Sequence, residues 1–471
     1  MGKELNVSEL ESLDKGALIA IIKHLVERVN ALEARLSKNS SNSSKPPSSD
    51  YHPPRKPKSL RKGTNKKAGG QKGHKGKTLA LSQHPNKTHR NKVSNCDKCH
   101  HTLSGVEAEI EKRQVYDIPK ITIEITEYQI ERKTCPSCAH QTLGQFPQGV
   151  THKTQYGKNI QGLSVYMNQY QMVPFKRIKE FFADVFGHNI NEGSLVTMNK
   201  RCYESLQGFE DEVKRQLCNG AVAHFDESGM RVGKKRYWIH VASTSLLTLF
   251  KIHEKRGQVA MNAMGIINDF KGYAVHDYWK PYLSYECFHV LCNTHHLRDL
   301  TFIYEQYKQS WPKKMIQLLL AAKRLVDYAK TREQISLPPQ LIEKIQQKYA
   351  SILSQALEEI DVLPKPLQNG KRGRKKKHPA FNLYQRFEEN QANILTFVTN
   401  FSVPFDNNQA ERDIRMAKLK QKISGTFRSH EGADYFARIR SYINTARKNT
   451  INVADALHMA FNGTPFIPNT S

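Results

Sequence analysis

Between Ala221 and Asp277 the chain changes texture, and that change limits its possible folds more than any other feature. Three short runs rich in β-branched and aromatic residues, Ala221 to Asp226, Arg236 to Ala242 and Leu246 to Ile252, predict a meander of strands. A helix follows, and then Gly272-Tyr-Ala-Val-His-Asp277, a fourth strand that also ends on an aspartate. Two strands separated by a helix lie in one sheet with their ends side by side, so Asp226 and Asp277 are expected to meet. Phe288 to Pro404 reads as overwhelmingly helical, with Leu318 to Val326 apolar at helical spacing and an acid-free basic loop at Lys371 to Lys377. After this insertion, Asn407 to Lys422 begins a helix on which Glu411, Arg415, Lys418 and Lys422 share one face.

Each carboxylate has an ordinary structural reading. Strand-end aspartates make turns, and Asn408 with Glu411 three residues later is close to a capping box. As a trio they fit a different chemistry: hard oxygen ligands for two Mg²⁺ or Mn²⁺ ions, ~3.5 to 4 Å apart, that clamp the entering and leaving oxygens of a phosphate. Such a site cuts or joins phosphodiesters, and Arg415, Lys418 and Lys422 would hold the strand for in-line attack.

The charge balance points to the same class of partner. The chain has 471 residues, enough for several domains, and a formal net charge of +28. From Tyr51 to Lys92 there are 13 Lys and Arg, among them Lys66, Lys67, Lys72 and Lys75, and no Asp or Glu. A run of that kind attracts phosphates without needing a fold, although a solubilising linker would also be basic. Ser37 to Asp50, mostly Ser, Asn and Pro, is expected to be a flexible tether. Leu18, Ile22, Leu25, Val29, Leu32 and Leu36 alternate as the a and d positions of a short coiled coil, or of an amphipathic helix laid on the chain's own core. No apolar run reaches the ~18 residues of a membrane span, and no secretory signal opens the sequence, so a cytoplasmic protein is expected.

Eight cysteines are too few for a disulfide scaffold, but Cys96-x-x-Cys99 and Cys135-x-x-Cys138 are spaced as metal knuckles. They bracket 35 residues in which Ile121, Ile123 and Ile125 alternate with polar residues, predicting a strand in a β-hairpin between the knuckles. Four thiolates close a tetrahedron around a structural Zn²⁺; His100, His101 or His140 could replace a ligand, and two redox pairs are the alternative. Gln155 to Cys218 reads as helical, with Gly187 and Asn191 marking a helix-turn-helix outline that ordinary bundles share.

As a set, Ser37-Lys-Asn-Ser-Ser-Asn-Ser-Ser-Lys-Pro-Pro-Ser-Ser-Asp50, Gly69-Gly-Gln-Lys-Gly-His-Lys-Gly76, the paired Cys-x-x-Cys, His224-Phe-Asp-Glu-Ser228, His276-Asp-Tyr-Trp279, Cys292-Asn-Thr-His295 and Asn407 to Arg415 resemble the insertion sequence 66 family of TnpC-type DDE transposases from end to end. Ser228 stands where that family commonly has Thr, which keeps the hydroxyl. The resemblance implies a multidomain α+β protein with an RNase H-like α/β catalytic core and Asp226, Asp277 and Glu411 as its triad, Asp226 bridging the two ions. It further implies cutting at the element's terminal inverted repeats, transfer of the freed 3′-hydroxyl to target DNA, a homo-oligomer, and companion proteins of the same element. Cys292 and His295 match a Cys-x-x-His pattern seen after the second Asp, either metal ligands or a buried Cys with a hydrogen-bonded His.

The expected layout is a helical segment at 1–36, tether and basic arm at 37–92, a zinc-binding β unit at 93–145 and a helix-turn-helix-like domain at 146–218. The core would occupy 219–300 and 401–450 around a helical insertion at 301–400, with a C-terminal tail at 451–471. A DNA-binding regulator without catalysis, or a nuclease that only hydrolyses, would share most of these features.

Overall fold

The computed structural model describes residues 14–39, 42, 43, 73, 75, 76, 78–363 and 377–469. They fall in two compact units, Met1–Pro53 with Tyr128–Ala183 and Asn189–Ser471, and a smaller one of Pro54–Glu127 with Asp184–His188. Lys66, Lys67, Lys72 and the basic loop at 371–376 lie outside the described residues.

Asp14 starts α1 (Lys15–Ser37) by accepting the N–H of Ala17 at 2.7 Å. Ile22, Leu25, Val29, Leu32 and Leu36 of the heptad stripe are all exposed, and among the described side chains of α1 only Ala34 reaches the core of the helical insertion. The stripe therefore does not lie on the chain's own core among the described residues. The segment expected as a tether begins as a docked turn. Asn42 and Ser43 are buried, Ser37 Oγ donates to Gln306 Oε1 at 2.8 Å, and Asn42 Nδ2 donates to Glu305 Oε2 at 3.4 Å. Hydrogen bonds hold polar residues that have no apolar surface to bury.

In the smaller unit, residues 114–116 lie against 80–82: Gln114 exchanges two bonds with the Ser82 backbone, and Tyr116 Oη donates to Ala80 O. The strand expected at Ile121–Ile125 does not form, and Ile121 and Ile125 are exposed. Alternation specifies a strand only where a neighbour completes the ladder. The hairpin forms instead around the second knuckle, from β1 (Arg132–Thr134) and β2 (Gln141–Leu143).

Four helices follow: α2 (Lys158–Val165), running on into a π-turn over Tyr166–Tyr170, α3 (Phe175–Phe186), α4 (Glu192–Ser205) and α5 (Gln207–Cys218). Gly187 takes φ +65° after α3, a left-handed conformation that glycine adopts freely, and the Asn191 side chain caps α4 at Gly193 N. The helix, turn, helix outline is present, but α4 buries Leu195, Met198 and Cys202 as an ordinary bundle helix does.

The sheet comprises β3 (Val222–Val232), β4 (Lys235–Ser243), β5 (Thr248–His253), β6 (Tyr273–His276) and β7 (Phe288–Leu291), with α6 (Gln258–Met264) between β5 and β6. Its order is β5-β4-β3-β6-β7; β3 pairs antiparallel with β4 and parallel with β6, and β6 pairs parallel with β7. Phe288–Leu291 was expected to be helical. A four-residue apolar run has no readable period, and the parallel neighbour β6 decides its state.

Among the described residues five helices, α7 (Asn293–Tyr307), α8 (Trp311–Lys330), α9 (Pro339–Asp361), α10 (Pro379–Glu389) and α11 (Gln391–Thr399), make the insertion. Trp311, Tyr349 and Phe387 are fully buried at its centre, each stabilising by ~2 to 3 kcal/mol before entropy is counted. Then α12 (Asn408–Ser424) and α13 (His430–Lys448) cover one face of the sheet, packing Ala410, Ile414, Ala417 and Phe436 against Met230, Ile239, Val241 and Phe250. The segment expected as a C-terminal tail carries α14 (Val453–Phe461), which buries Ala456, Leu457 and Ala460 and is tied to α13 where Tyr442 Oη donates to Ala456 O at 2.8 Å. Its apolar stripe needs a partner, and α2 and α4 supply the rest of it.

Gly272 lets β6 start tightly against β3. A Cβ there would sit 2.5 Å from Gly220 O and 2.6 Å from Ala221 O, both backbone atoms that cannot swing aside. Gly272→Ala is expected to push the strands apart and lower stability by about 1 to 3 kcal/mol, readable as a fall in Tm of roughly 2 to 4 °C per kcal/mol.

Candidate active site

The parallel ladder aligns Val222 with Tyr273, Ala223 with Ala274 and His224 with Val275. Two residues beyond the last of these pairs come Asp226, still inside β3, and Asp277, just past the end of β6; a period of two directs both toward the face of His224 and Val275. That face is the one α12 covers, and Glu411 is in the first turn of α12. Asp226 Oδ1 accepts the N–H of Glu227 at 2.8 Å and Asp277 Oδ1 that of Trp279 at 2.9 Å, leaving the other oxygen of each for a ligand.

Asn407 ties the start of α12 to the sheet. Its Nδ2 donates to Phe225 O at 2.7 Å, so its Oδ1 is the acceptor toward His224 Nδ1 at 2.8 Å, and its backbone N–H donates to Cys292 Sγ at 3.1 Å. Burial lowers the pKa of His224, and the acceptor Asn407 Oδ1 calls for a proton on its Nδ1. Deeper in α12, Asp413 accepts Lys448 Nζ at 2.7 Å, locking α12 to α13.

The acids crowd one another. Burial first, then the charges of Glu227 and Asp277 and finally that of Glu411, push the Asp226 carboxyl well above the usual carboxylate range. Glu411 Oε1 is buried without a hydrogen-bond partner, 3.8 Å from His295 Nε2. The capping-box reading of Glu411 is not realised: the Asn408 N–H goes to Asp406 Oδ1, and no side-chain bond caps the helix. Hard oxygen donors with a raised Asp226 pKa and an orphaned Glu411 oxygen suit a divalent cation, but the three carboxylates do not close around one point: among the described residues the only three ligand atoms lying within 4.8 Å of one another are those of Cys292, His295 and Glu411.

Cys292 begins α7 as a buried thiol pushed up to about 12 by burial, and it anchors Asn407 through its sulfur. Its sulfur, a ring nitrogen of His295 and an oxygen of Glu411 lie within 4.8 Å of one another. Arg415, Lys418 and Lys422 are exposed on the outward side of α12, and Lys75 is exposed in the smaller unit.

Glu227 was not read from the sequence as a site residue, nor was Asn407. The next residue after Asp226 faces the other side of the sheet, where Glu227 accepts Arg256 Nη2 at 2.8 Å and the Tyr282 hydroxyl at 2.6 Å. A second carboxylate directly after Asp226 was the available signal.

The two knuckles have the same local backbone. In the first, Cys96 N–H donates to His101 O at 2.9 Å and His100 takes φ +60°; in the second, Cys135 N–H donates to His140 O at 2.8 Å and Ala139 takes φ +57°. Backbone N–H groups of residues 99 and 98 lower the pKa of Cys96, and those of 138 and 137 lower that of Cys135. Amides aimed at a sulfur favour the thiolate, the form that binds zinc.

With this mixed sheet and the paired knuckles described, comparison with known families places the chain among the transposases, a class of DNA-cleaving enzymes. A family model described as Transposase IS66 family matches residues 153–435, and one described as zinc-finger binding domain of transposase IS66 matches residues 94–139. The chain belongs to the IS66 transposase family. A family of unknown function (DUF6444) matches residues 3–80. A search among curated proteins finds no match. Among the described residues no helix is long and apolar enough to cross a membrane.

Proposed function

We propose that this transposase cuts DNA at the ends of its element and joins the freed 3′-hydroxyls to target DNA, using Asp226, Asp277 and Glu411 as a DDE triad in an RNase H-like core. The observation that carries this reading is the parallel register of β3 and β6, with Asp226 and Asp277 at matching positions on the face covered by the Glu411 helix. The strand order, two antiparallel pairs followed by two parallel ones, supports the RNase H-like assignment.

The three carboxylates would hold Mg²⁺ or Mn²⁺, which when bound activates the attacking oxygen and stabilises charge on the phosphorus. Asp226, under the charge of Asp277 and Glu411, would be one of the residues that hold the ions. Arg415, Lys418 and Lys422 hold the phosphodiester backbone in line, and Asn407 fixes where Glu411 enters. Hydrolysis consumes one water and leaves a 3′-hydroxyl on the element; in transfer, that oxygen attacks a target phosphodiester and expels a 3′-oxygen of the target strand. The basic arm with Lys66, Lys67, Lys72 and Lys75 adds sequence-independent attraction to DNA. The exposed heptad residues of α1 support self-association.

A plasmid bearing the terminal repeats, incubated with purified protein and Mg²⁺ or Mn²⁺, should yield cut ends and strand-transfer products. Cut ends alone would indicate a nuclease, and binding without cutting would favour a DNA-binding regulator.

The knuckles, Cys96 with Cys99 and Cys135 with Cys138, would hold one structural Zn²⁺. Metal analysis should find one zinc per chain in the parent and almost none in Cys135→Ser, whose segment from 93 to 145 should then be cut rapidly by protease. Retention of zinc by that variant would remove Cys135 from the ligand set.

A further inference from the structure

The sheet face opposite the acids carries an alternation of cations and indoles. Strand parity places Glu227, Gly229 and Arg231 on that face, across from His240, Trp238 and Arg236. Gly229 contributes no side chain, and the position of its missing Cβ lies 3.7 Å from the Trp238 ring and 3.6 Å from Arg236 Nε, so both lie over bare backbone. The guanidinium carbon of Arg236 is 5.3 Å from the Trp238 centroid; that of Arg256 is 4.9 Å from the same ring and 4.1 Å from Trp279. Arg236, Trp238, Arg256 and Trp279 thus form a continuous ladder. At its inner end the Trp279 backbone N–H donates to Asp277 Oδ1 at 2.9 Å, so this end of the ladder is two residues along the chain from that acid.

Arg256 is anchored on one edge and open on the other. Its Nε and Nη2 both donate to Glu227 Oε1, at 3.0 and 2.8 Å, and Glu227 Oε2 is taken by Tyr282. The Glu227 side chain is 2% exposed while that of Arg256 is 39% exposed. A cation needed only to neutralise Glu227 would not be held between two rings with its outer edge in solvent.

We infer that this ladder is a track for a single DNA strand leaving the cleavage site, with phosphates on Arg236 and Arg256 and bases stacked against the indoles. The inference rests on the reading of Asp226 and Asp277 as the cutting site for the identity of the strand. Guanidinium groups with an edge open to solvent attract phosphates, and half-buried rings beside them can stack on unpaired bases, whose faces are free. Arg236 is exposed and can yield its place on Trp238 to a base.

The chain reports on this surface directly. It has three tryptophans, and Trp311 is fully buried in the helical insertion, so the accessible emission belongs to Trp238 and Trp279. The full-length protein, without added divalent metal, is titrated with a dT oligonucleotide while tryptophan emission and oligonucleotide anisotropy are followed together. Binding should quench the emission, and an abasic oligonucleotide of the same length should bind with little quenching. The double variant Trp238→Phe/Trp279→Phe should lose the quench while its remaining Trp311 emission reports a folded insertion. Arg256→Ala should weaken the binding read by quenching about tenfold, the effect of losing ~1.4 kcal/mol. No binding, binding without quenching, or equal quenching by the abasic strand would overturn the track. Because the titration needs no cleavage, quenching in a protein that fails to cut would sink the catalytic reading alone, and cutting without quenching would sink the track alone.

Discussion

Asp226→Asn is expected to abolish cleavage and strand transfer, by about 10³-fold or more, while leaving DNA binding unchanged. The amide keeps the shape and the bond from Glu227 N–H but removes the charge that a divalent ion needs. The same substitution should stabilise the metal-free protein. The Asp226 pKa is raised by burial and by Glu227, Asp277 and Glu411. A raised folded-state pKa means that its contribution to stability is full below the unfolded carboxylate pKa of ~3.9 and is lost as pH rises through the folded value. Near neutral pH the parent therefore carries a cost that the variant lacks, and Tm should rise by roughly 2 to 4 °C for each kcal/mol relieved. Mg²⁺ should raise the Tm of the parent more than that of the variant. Equal cutting by the two proteins would refute the site assignment; equal Mg²⁺ shifts would mean that Asp226 does not hold the ion.

Asn407→Leu should be the most damaging single change that touches no proposed metal ligand. Asn407 is 2% exposed, and its side chain joins Phe225 O and His224 in one stroke. Leucine fills the volume but strands a buried carbonyl and a buried imidazole N–H, at a cost of about 2 to 4 kcal/mol for the two. A fall in Tm of roughly 5 to 12 °C should follow. Activity measured well below that Tm should still be reduced by about 10²-fold, because a helix start displaced by an ångström misplaces Glu411. Cutting at the parental rate under those conditions would mean that the loop positions Glu411 without Asn407.

These two substitutions separate what was readable in the chain from what was not. The strands that carry Asp226 and lead to Asp277 were legible because both consist of β-formers, and the helix headed by Glu411 was legible from its spacing; the end of the first was not, since β3 runs on through Asp226 to Val232, where its pairing with β4 holds it extended. Asn407 stood inside a motif with no assigned role, because its three bonds run to residues more than 110 positions away. Glu227 was passed over for a related reason: adjacency in sequence places it beside Asp226, whereas the period of a strand turns it to the opposite face. The strand expected at Ile121–Ile125, the helix expected at Phe288 and the tail expected beyond 451 were misjudged alike. In each case the local pattern was compatible with several states, and a partner, absent for the first, β6 for the second, and α2 and α4 for the third, made the choice.

Local chemistry is written in the chain itself: which residues can ligate a cation, where cysteines pair, where charge excludes acids, and which runs favour strands. Side-chain period and residue type act over a few positions, so a linear reading captures them. Convergence was decided by the tertiary structure alone. The parallel register of β3 and β6, the close approach allowed by Gly272 and the three bonds of Asn407 set which acids share a face and which one turns away to hold Arg256. Those relations depend on backbone groups distant in sequence, whose hydrogen bonds exist only after the sheet has formed.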